Sequence, residues 1–216
     1  MQLNKQSNSM IIIISSPSGA GKTTIINKVI EKDKDLFLSI SATTRPKRPN
    51  EIDSQHYHFV SDREFEKILN DNLFLEHATV FGHRYGTFMS NINEHCKDGK
   101  SIVCDVDWQG AKQISANSKK FQIVKIFILP PSIEELKRRL QNRAQDTSDV
   151  IKKRMFQAHN EISKWVDYDY IIINNDLDRA VNNVLSIIQS TRLKKNNQPF
   201  LGEFVDGLLN SKILLQ

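Results

Sequence analysis

The stretch Ser15-Ser16-Pro17-Ser18-Gly19-Ala20-Gly21-Lys22-Thr23-Thr24 decides the fold of this chain. It follows the apolar run Met10 to Ile14 and precedes Ile25 to Ile30, where apolar residues recur at helical spacing. Strand, glycine-bearing loop, Lys-Thr and helix in this order are the layout of a phosphate-binding loop. Glycines let successive backbone N–H groups turn toward phosphate oxygens, and the following helix presents its positive N-terminus to the same anion.

The residue types within this loop predict individual roles. Lys22 would place its charge on the β- and γ-phosphates of a nucleotide, and the Thr23 hydroxyl would ligate Mg²⁺. The general pattern G-x-x-x-x-G-K-[ST] has glycine at the position of Ser16, but the G-x-G-K-T part is intact. We therefore predict a nucleotide phosphate site rather than a chance Gly-Lys pair between a strand and a helix. The loop alone does not identify the second substrate.

Composition narrows the class of protein. A chain of 216 residues with a formal net charge of +5 suits one sizeable domain that handles polyanionic nucleotides. Basic residues alternate with acidic ones, which argues against nucleic-acid binding, and no apolar run is long enough to predict a membrane span. The polar residues 1–9 predict a disordered leader without a signal core, so we expect a cytoplasmic location.

Strand patterns alternate with helix patterns along the chain. We predict strands at 10–14, 37–41, 101–105, 122–128 and 169–173, and helices at 22–32, 61–71, 89–97, 108–116, 132–143, 148–166 and 177–195. This alternation predicts an α/β fold, a three-layer P-loop NTPase sandwich with a parallel central sheet.

Three segments depart from this rhythm. Residues 42–88 predict a small α+β lobe inserted into a core of 10–41 and 89–195, and the charged residues 143–155 predict a mobile lid. Residues 196–216 form a tail with partly amphipathic helical spacing, which we expect to dock on its own domain or on a second subunit. The sequence leaves open whether the protein is a monomer or a homo-oligomer.

Charged residues outside the loop suggest further ligand contacts. Arg45 and Arg48 lie in a proline-stiffened segment that suits a phosphate, although a solvated basic loop is the alternative. Asp105 and Asp107 follow a buried strand, where α/β proteins bind ligands, and helix capping is the alternative there. Arg138 and Arg139 suit either contacts with ATP or ordinary helix ion pairs with Glu134 and Glu135, and we expect the ion pairs for Arg138. Spacing does not decide whether two further arginines near the lid, Arg143 and Arg154, contact a nucleotide.

The aromatic and acidic residues of the lobe also remain open by spacing. Tyr57, Tyr85 and Glu76 suit either a lobe core or ligand contacts. The histidines between positions 56 and 83 lack the i, i+4 spacing of a zinc pair, so we do not expect them to bind metal.

Five motifs in order give the chain a resemblance to bacterial guanylate kinases, nucleoside-monophosphate kinases of the P-loop class. The resemblance covers about residues 10–195. The motifs are the loop at 16–23, Ser41-Ala42-Thr43-Thr44-Arg45-Pro46-Lys47-Arg48, Phe74-Leu75-Glu76-His77-Ala78 with Gly82-His83-Arg84-Tyr85-Gly86-Thr87, Asp105-Val106-Asp107-Trp108-Gln109-Gly110, and Ile173-Asn174-Asn175-Asp176-Leu177. It implies Mg-dependent phosphoryl transfer from ATP to GMP, and dGMP is a plausible second acceptor.

The resemblance also implies a role for each site residue. The ATP site would comprise Ser16, Pro17, Ser18, Gly19, Ala20, Gly21, Lys22, Thr23, Thr24 and Asn174. The GMP phosphate would contact Arg45, Arg48, Tyr57 and Tyr85, and the guanine would contact Ser41, Glu76, Thr87 and Asp105. The catalytic cations would be Lys22, Arg45, Arg143 and Arg154, and Thr23 and Asp107 would hold magnesium, partly through water.

The chain departs from the family pattern at a few positions. Arg84 lies where a second aromatic residue is common, Ala144 where glycine is usual, and Asn175 where aspartate is usual. None of these changes removes a group that the reaction requires. The alternative function is that of the inactive guanylate-kinase-like domains that bind protein partners. Those domains typically lose the ATP loop, which this chain keeps.

Overall fold

The computed structural model describes residues 8–97, 99–118, 121–141 and 148–211. Most of the predicted leader and the first part of the predicted lid lie outside these residues. The strands are β1 (Met10–Ser15), β2 (Leu36–Ser39), β3 (Ala42–Thr43), β4 (His58–Phe59), β5 (Phe74–Val80), β6 (His83–Phe88), β7 (Ser101–Asp105), β8 (Gln122–Leu129) and β9 (Tyr170–Ile173). The helices are α1 (Lys22–Lys32), α2 (Asp62–Asn70), α3 (Met89–Lys97), α4 (Trp108–Asn117), α5 (Ile133–Gln141), α6 (Ser148–Ile162), α7 (Leu177–Arg192) and α8 (Leu201–Leu209).

Five parallel strands form the central sheet in the order β2-β7-β1-β8-β9. Every residue of β1 is buried, because helices cover both faces of the sheet. Ile12 and Ile14 pack in the cluster that contains α1 and α7, whereas Ile11 and Ile13 pack in the cluster that contains α3 and α4. These three layers confirm the predicted α/β class with a parallel central sheet.

A second sheet is formed by residues 42–88, the segment that breaks the alternation of strands and helices. Its four strands run in the order β4-β3-β6-β5, and α2 packs on it through Phe65, whose ring lies 4.6 Å from that of Phe74. Ser61 and Glu64 form a capping box that starts α2. The predicted strand at 37–41 was wrong at its end: β2 stops at Ser39 because the chain then crosses to the second sheet, where the Ser41 carbonyl accepts from the His58 amide at 3.0 Å.

Two predicted helices were also too long. The helix predicted at 148–166 ends at Ile162 and continues as a 3₁₀ helix, Ser163–Asp167. The helix predicted at 177–195 ends at Arg192, because the buried Asn197 side chain donates to the Thr191 carbonyl at 2.8 Å and takes up a terminal acceptor of α7. A 3₁₀ turn, Lys195–Asn197, then leads to α8.

The tail contains helix α8, which buries none of its side chains; Leu208 and Leu209 are largely exposed. Among the described residues, no helix combines the length and apolar character needed to cross a bilayer.

Candidate active site

The phosphate loop connects the carboxyl end of β1 to the first turn of α1. Gly19 and Gly21 have φ angles of 93° and 96°, in the left-handed region that favours glycine. Gly19 also lies under α5, since a Cβ placed there would be 3.0 Å from Leu140 Cδ2. Ser16 is not among the described residues with a positive φ angle, so the loop does not need glycine there. This explains how the chain tolerates its departure from the general pattern.

Lys22 ties the loop to the end of β7. Its Nζ lies 2.5 Å from Asp105 Oδ1 and donates to the Val106 carbonyl at 3.2 Å. Both side chains are mostly buried, at 17% and 22% exposure, so the ion pair is shielded from solvent. Thr23 and Thr24 are exposed at the start of α1. The cation therefore points along the carboxyl edge of the sheet, where α/β proteins bind ligands.

Asn174 and Arg139 support the loop from the opposite side. The buried Asn174 amide donates to the Ala20 carbonyl at 2.7 Å, and a Cβ on Gly21 would lie 2.5 Å from this amide. Arg139 donates to the Ala20 carbonyl at 3.1 Å and to the Asn174 carbonyl at 3.2 Å, while Glu135 holds its Nε at 2.7 Å. The sequence left Arg139 open between a nucleotide contact and an ion pair, because its i, i+4 spacing from Glu135 also suits a surface ion pair.

Glu161 is a residue that sequence reasoning missed. Its Oε2 accepts from the Ser18 amide of the loop at 3.0 Å, across 143 residues of chain. Burial raises the pKa of Glu161, although the bond from Ser18 and the charge of Lys22 oppose this shift. The Glu161 carboxylate thus accepts a hydrogen bond from one of the backbone amides that the loop motif is expected to direct at phosphate oxygens. No spacing in α6 distinguishes Glu161 from a surface acid.

Asp107 caps helix α4, as the alternative interpretation of this acid expected. Its Oδ1 accepts from the amides of Gln109 and Gly110 at 3.0 and 2.9 Å, and its Oδ2 accepts from the Gln109 side chain at 3.0 Å. Its predicted role in magnesium binding stays a prediction. In the part of the chain that the structure describes, no three His, Cys, Asp or Glu residues form a group able to hold a metal ion.

The candidate site has two halves: the first is the phosphate loop with its neighbours, and the second is a buried series of hydrogen-bonded polar side chains. Ser41, Thr87 and Glu76 are 7%, 1% and 3% exposed, and come from the end of the first core segment, β6 and β5. Thr87 Oγ1 donates to Glu76 Oε1 at 2.6 Å, and the Ser41 hydroxyl lies 3.3 Å from Thr87 Oγ1. Because Thr87 has one hydroxyl proton, Ser41 donates to Thr87 whenever Thr87 donates to Glu76.

Burial raises the pKa of Glu76 to about 7, although the hydrogen bond from Thr87 favours the charged form. Glycine at position 110 provides the space for this carboxyl group, since a Cβ there would lie 2.5 Å from Glu76 Oε2. The site therefore holds an acceptor that changes charge near neutral pH and has little room to move.

A cationic corner lies beside this buried group. Arg45 pairs with Glu51 at 2.6 Å, and its guanidinium lies 5.5 Å from the centre of the Tyr57 ring, which in turn lies 5.9 Å from the Tyr85 ring. Burial alone would raise the pKa of Glu51, but hydrogen bonds from Arg45 and the Arg48 amide outweigh burial and lower it. Burial, followed by the negative charge of Asp105, raises the pKa of Tyr57. The Asp105 charge therefore acts on Tyr57 of the lobe as well as on Lys22 of the loop.

The arginines near the lid occupy different environments. Arg138 pairs with Glu135 at 2.6 Å and is 63% exposed, which confirms that it is an ordinary surface cation. Arg154 of α6 places its guanidinium 5.6 Å from the Phe81 ring, at the turn between β5 and β6. Arg143 and Ala144 lie outside the described residues, so the catalytic role of Arg143 stays a prediction. Arg84 pairs with Glu66 at 2.7 Å and its guanidinium lies over the Phe65 ring, so it packs against α2.

Comparison with known proteins gives consistent matches. A family model described as guanylate kinase matches residues 8–191. Guanylate kinases of Sphingopyxis alaskensis and Brucella melitensis are each 48% identical to the chain; the alignments cover 94% and 93% of the chain and 91% of each relative. A crystal structure of guanylate kinase from Anaplasma phagocytophilum has a TM-score of 0.78 and 31% identity, covering 94% of this chain and 97% of that one. The family match extends from before β1 into α7.

Proposed function

We propose that this chain, which belongs to the guanylate kinase family, transfers the terminal phosphoryl group of ATP to GMP with the residues described above. The observation that carries this proposal is that a phosphate loop and a buried polar chain both contact the segment from the end of β7 to the first turn of α4. Lys22 of the phosphate loop pairs with Asp105 at the end of β7, and Gly110 of the helix that follows β7 lies against the buried Ser41–Thr87–Glu76 chain. Phosphoryl transfer requires positioning and charge neutralisation, which this arrangement provides without a nucleophilic side chain.

The ATP half of the proposal rests on the loop. The amides between Ser16 and Thr24 would bind the β- and γ-phosphates, and Lys22 would neutralise the charge that develops during transfer. Asn174, which already supports the loop, would lie beside the adenine. Arg154 and Arg143 would approach the transferring group from the lid.

Magnesium fits the residues available on this side. Hydroxyl and carboxylate oxygens are the ligands it prefers, and it is usually bound by one or two protein groups together with substrate phosphates and water. Thr23 would contact the ion directly. Asp107 would contact it through water, because its oxygens already accept from the first turn of α4. When bound, the ion would supply positive charge against the phosphates.

The GMP half rests on the lobe. Arg45, Arg48, Tyr57 and Tyr85 would hold the acceptor phosphate, and the pairing of Arg45 with Glu51 orients its guanidinium beforehand. Ser41, Glu76, Thr87 and Asp105 would recognise the base. An ionised Glu76 accepts from the N1–H and 2-amino groups of guanine, a pattern that adenine does not present. The proposal includes dGMP as an acceptor, because none of these residues is assigned to the 2′-hydroxyl.

The test is an assay of ADP release with Mg·ATP and each of GMP, dGMP, AMP, UMP, CMP and TMP. We expect turnover with GMP and dGMP alone. Turnover with another base would keep the phosphate-loop assignment and overturn the role of Glu76. A folded protein that turns over none of them would instead favour the partner-binding function. We place the reaction in the cytoplasm, where both nucleotide substrates are available, and the oligomeric state is open.

A further inference from the structure

Strand β5 carries the proposed base-reading acid at the margin of the lobe. In the order β4-β3-β6-β5 it is an outer strand, so β6 satisfies only one of its edges. The backbone groups of the other edge need partners, because an outer strand otherwise leaves them unpaired. Helix α4 of the core packs along this edge.

Two side-chain amides of α4 supply these partners. Gln113 Oε1 accepts from the His77 amide at 3.1 Å, and Gln113 Nε2 donates to the His77 carbonyl at 2.7 Å. One turn further along the helix, Asn117 Nδ2 donates to the Leu75 carbonyl at 2.9 Å. Gln113 therefore pairs with β5 as a peptide group of a neighbouring strand would.

These bonds lie on both sides of one residue. Leu75 and His77 are the chain neighbours of Glu76, so three hydrogen bonds from a single helix fix the backbone before and after the acid. The same helix contains Gly110, which leaves space for the Glu76 carboxyl group. Helix α4 begins at Trp108, three positions after Asp105 at the end of β7. The position of Glu76 is thus set from the core as well as from the lobe.

We propose that Gln113 is a positioning residue for base selection: by clamping the backbone of His77, it aligns the Glu76 carboxylate with the N1–H and 2-amino edge of guanine. This inference rests on the proposed function, in which Glu76 reads the base. A loosened β5 would let the carboxylate move away from the second of its two donors. Selection for the 2-amino group would decline more than binding of the phosphate or of ATP.

The experiment compares GMP with inosine monophosphate, which lacks only the 2-amino group. We would measure kcat and KM for both acceptors and for ATP in the parent protein and in Gln113→Ala, with thermal unfolding as a check of folding. We expect the GMP-to-IMP ratio of kcat/KM to fall by about fivefold or more, consistent with the loss of about one or two hydrogen bonds. The KM for ATP should stay within about twofold, the scatter expected when no interaction is lost.

Matched variants keep the test decisive. Gln113→Glu has the same size and keeps the acceptor for the His77 amide but loses the donor, so it should also lower the ratio even if the alanine variant folds poorly. Ser115→Ala removes a hydroxyl that donates to the Ala111 carbonyl of the same helix at 2.7 Å, the one hydrogen bond of this side chain among the described residues, and should leave the ratio unchanged.

The outcomes separate this inference from the proposed function. Suppose that Glu76→Gln loses the preference for GMP over IMP. If both Gln113 variants then keep the GMP-to-IMP ratio of the parent protein, or lose activity with GMP and IMP equally, the positioning role is wrong and the assignment of Glu76 stands. If Glu76→Gln itself retains the parent ratio, the base-reading assignment is wrong, and the role of Gln113 falls with it.

Discussion

The two halves of the proposed site would bind their ligands by different physical means. On the proposed ATP side, the donors would be mainly backbone amides of one continuous loop, which has two left-handed glycines and ends at Lys22. On the base side, side chains from three separate segments meet in a buried chain that ends at Glu76. Phosphate can be recognised by generic main-chain donors, but a base requires specific side-chain groups at specific positions.

This difference predicts how the halves respond to change. The loop is fixed by its own backbone conformation and by buried neighbours such as Asn174, so it should depend on charge more than on small shifts. The base half depends on a buried carboxyl group that is in contact with residues distant in sequence. GMP binding there should therefore be sensitive to pH and to added side-chain volume.

The largest effect is expected on the ATP side. Lys22→Ala removes the mostly buried cation that pairs with Asp105, and kcat should fall by about 10²–10³-fold or more, as for other lost electrostatic donors. GMP binding, measured by calorimetry, should change far less. Lys28→Ala is the matched control, because Lys28 pairs with the exposed Asp178 at 3.4 Å away from the site. A near-normal kcat in the Lys22 variant would overturn the proposed mechanism.

The next effect concerns pH and the base side. Because the pKa of Glu76 is raised to about 7, guanine meets a neutral carboxyl group below that pH and an ionised acceptor above it. GMP affinity should therefore weaken by about tenfold per pH unit as the pH falls below 7, the slope of one linked proton. GMP's own phosphate titrates with a pKa of about 6, so Glu76→Gln, which lacks the carboxyl titration, is the control. Equal slopes in both proteins would contradict the prediction.

The raised pKa of Glu76 also makes the free energy of unfolding depend on pH. The folded chain holds the Glu76 proton up to about pH 7, whereas the reference pKa of an unperturbed glutamate is 4.5. The free energy of unfolding should therefore fall as the pH rises from about 4.5 to 7, by on the order of 2–4 kcal/mol from this group alone. Denaturant unfolding of Glu76→Gln at both ends of this range should show that this part of the dependence is lost. The ionised form of Glu76, which is the form proposed to recognise guanine, is thus the form that destabilises the folded chain.

The same contrast explains what the sequence could predict. The phosphate loop and its flanking strand and helix are adjacent in the chain, so local spacing was sufficient. Residues of the base half were assigned only through the family resemblance, because Ser41 meets Thr87 across 46 positions and no local pattern links them. Gln113 and Glu161 gave no signal at all, since their partners lie 36 and 143 positions away.

Two adjacent arginines, Arg138 and Arg139, show most clearly what local spacing cannot predict. Both arginines pair with Glu135, and their spacing from this acid suits a helix ion pair in each case. A rotation of about 100° per residue leaves Arg138 on the surface and places Arg139 against the Ala20 carbonyl. Which side of α5 faces the loop depends on tertiary packing, in particular on Leu136 and Leu140 against Gly19, and not on local spacing.

A smaller change tests the volume sensitivity of the base half. Gly110→Ala would place a Cβ 2.5 Å from Glu76 Oε2, and should raise the KM for GMP several-fold and lower stability by about 1–3 kcal/mol, as overpacking does. Helix propensity alone would favour alanine there. Gly202→Ala in α8 is the control, since its Cβ would meet nothing within 4 Å and should cost no stability. An unchanged KM for GMP in the Gly110 variant would mean that Glu76 has room to move.

The smallest predicted effect lies where a carboxylate meets the phosphate loop. Glu161→Gln keeps an acceptor for the Ser18 amide but removes a negative charge from beside the proposed γ-phosphate position. With that repulsion removed, the KM for ATP should fall by about twofold to threefold, an effect typical of a partly screened charge. The KM for GMP should stay constant, because the base half makes no use of this carboxylate. A rise in the KM for ATP would instead show that the loop needs the charge of Glu161 for its shape, and that the ATP side also depends on a distant side chain.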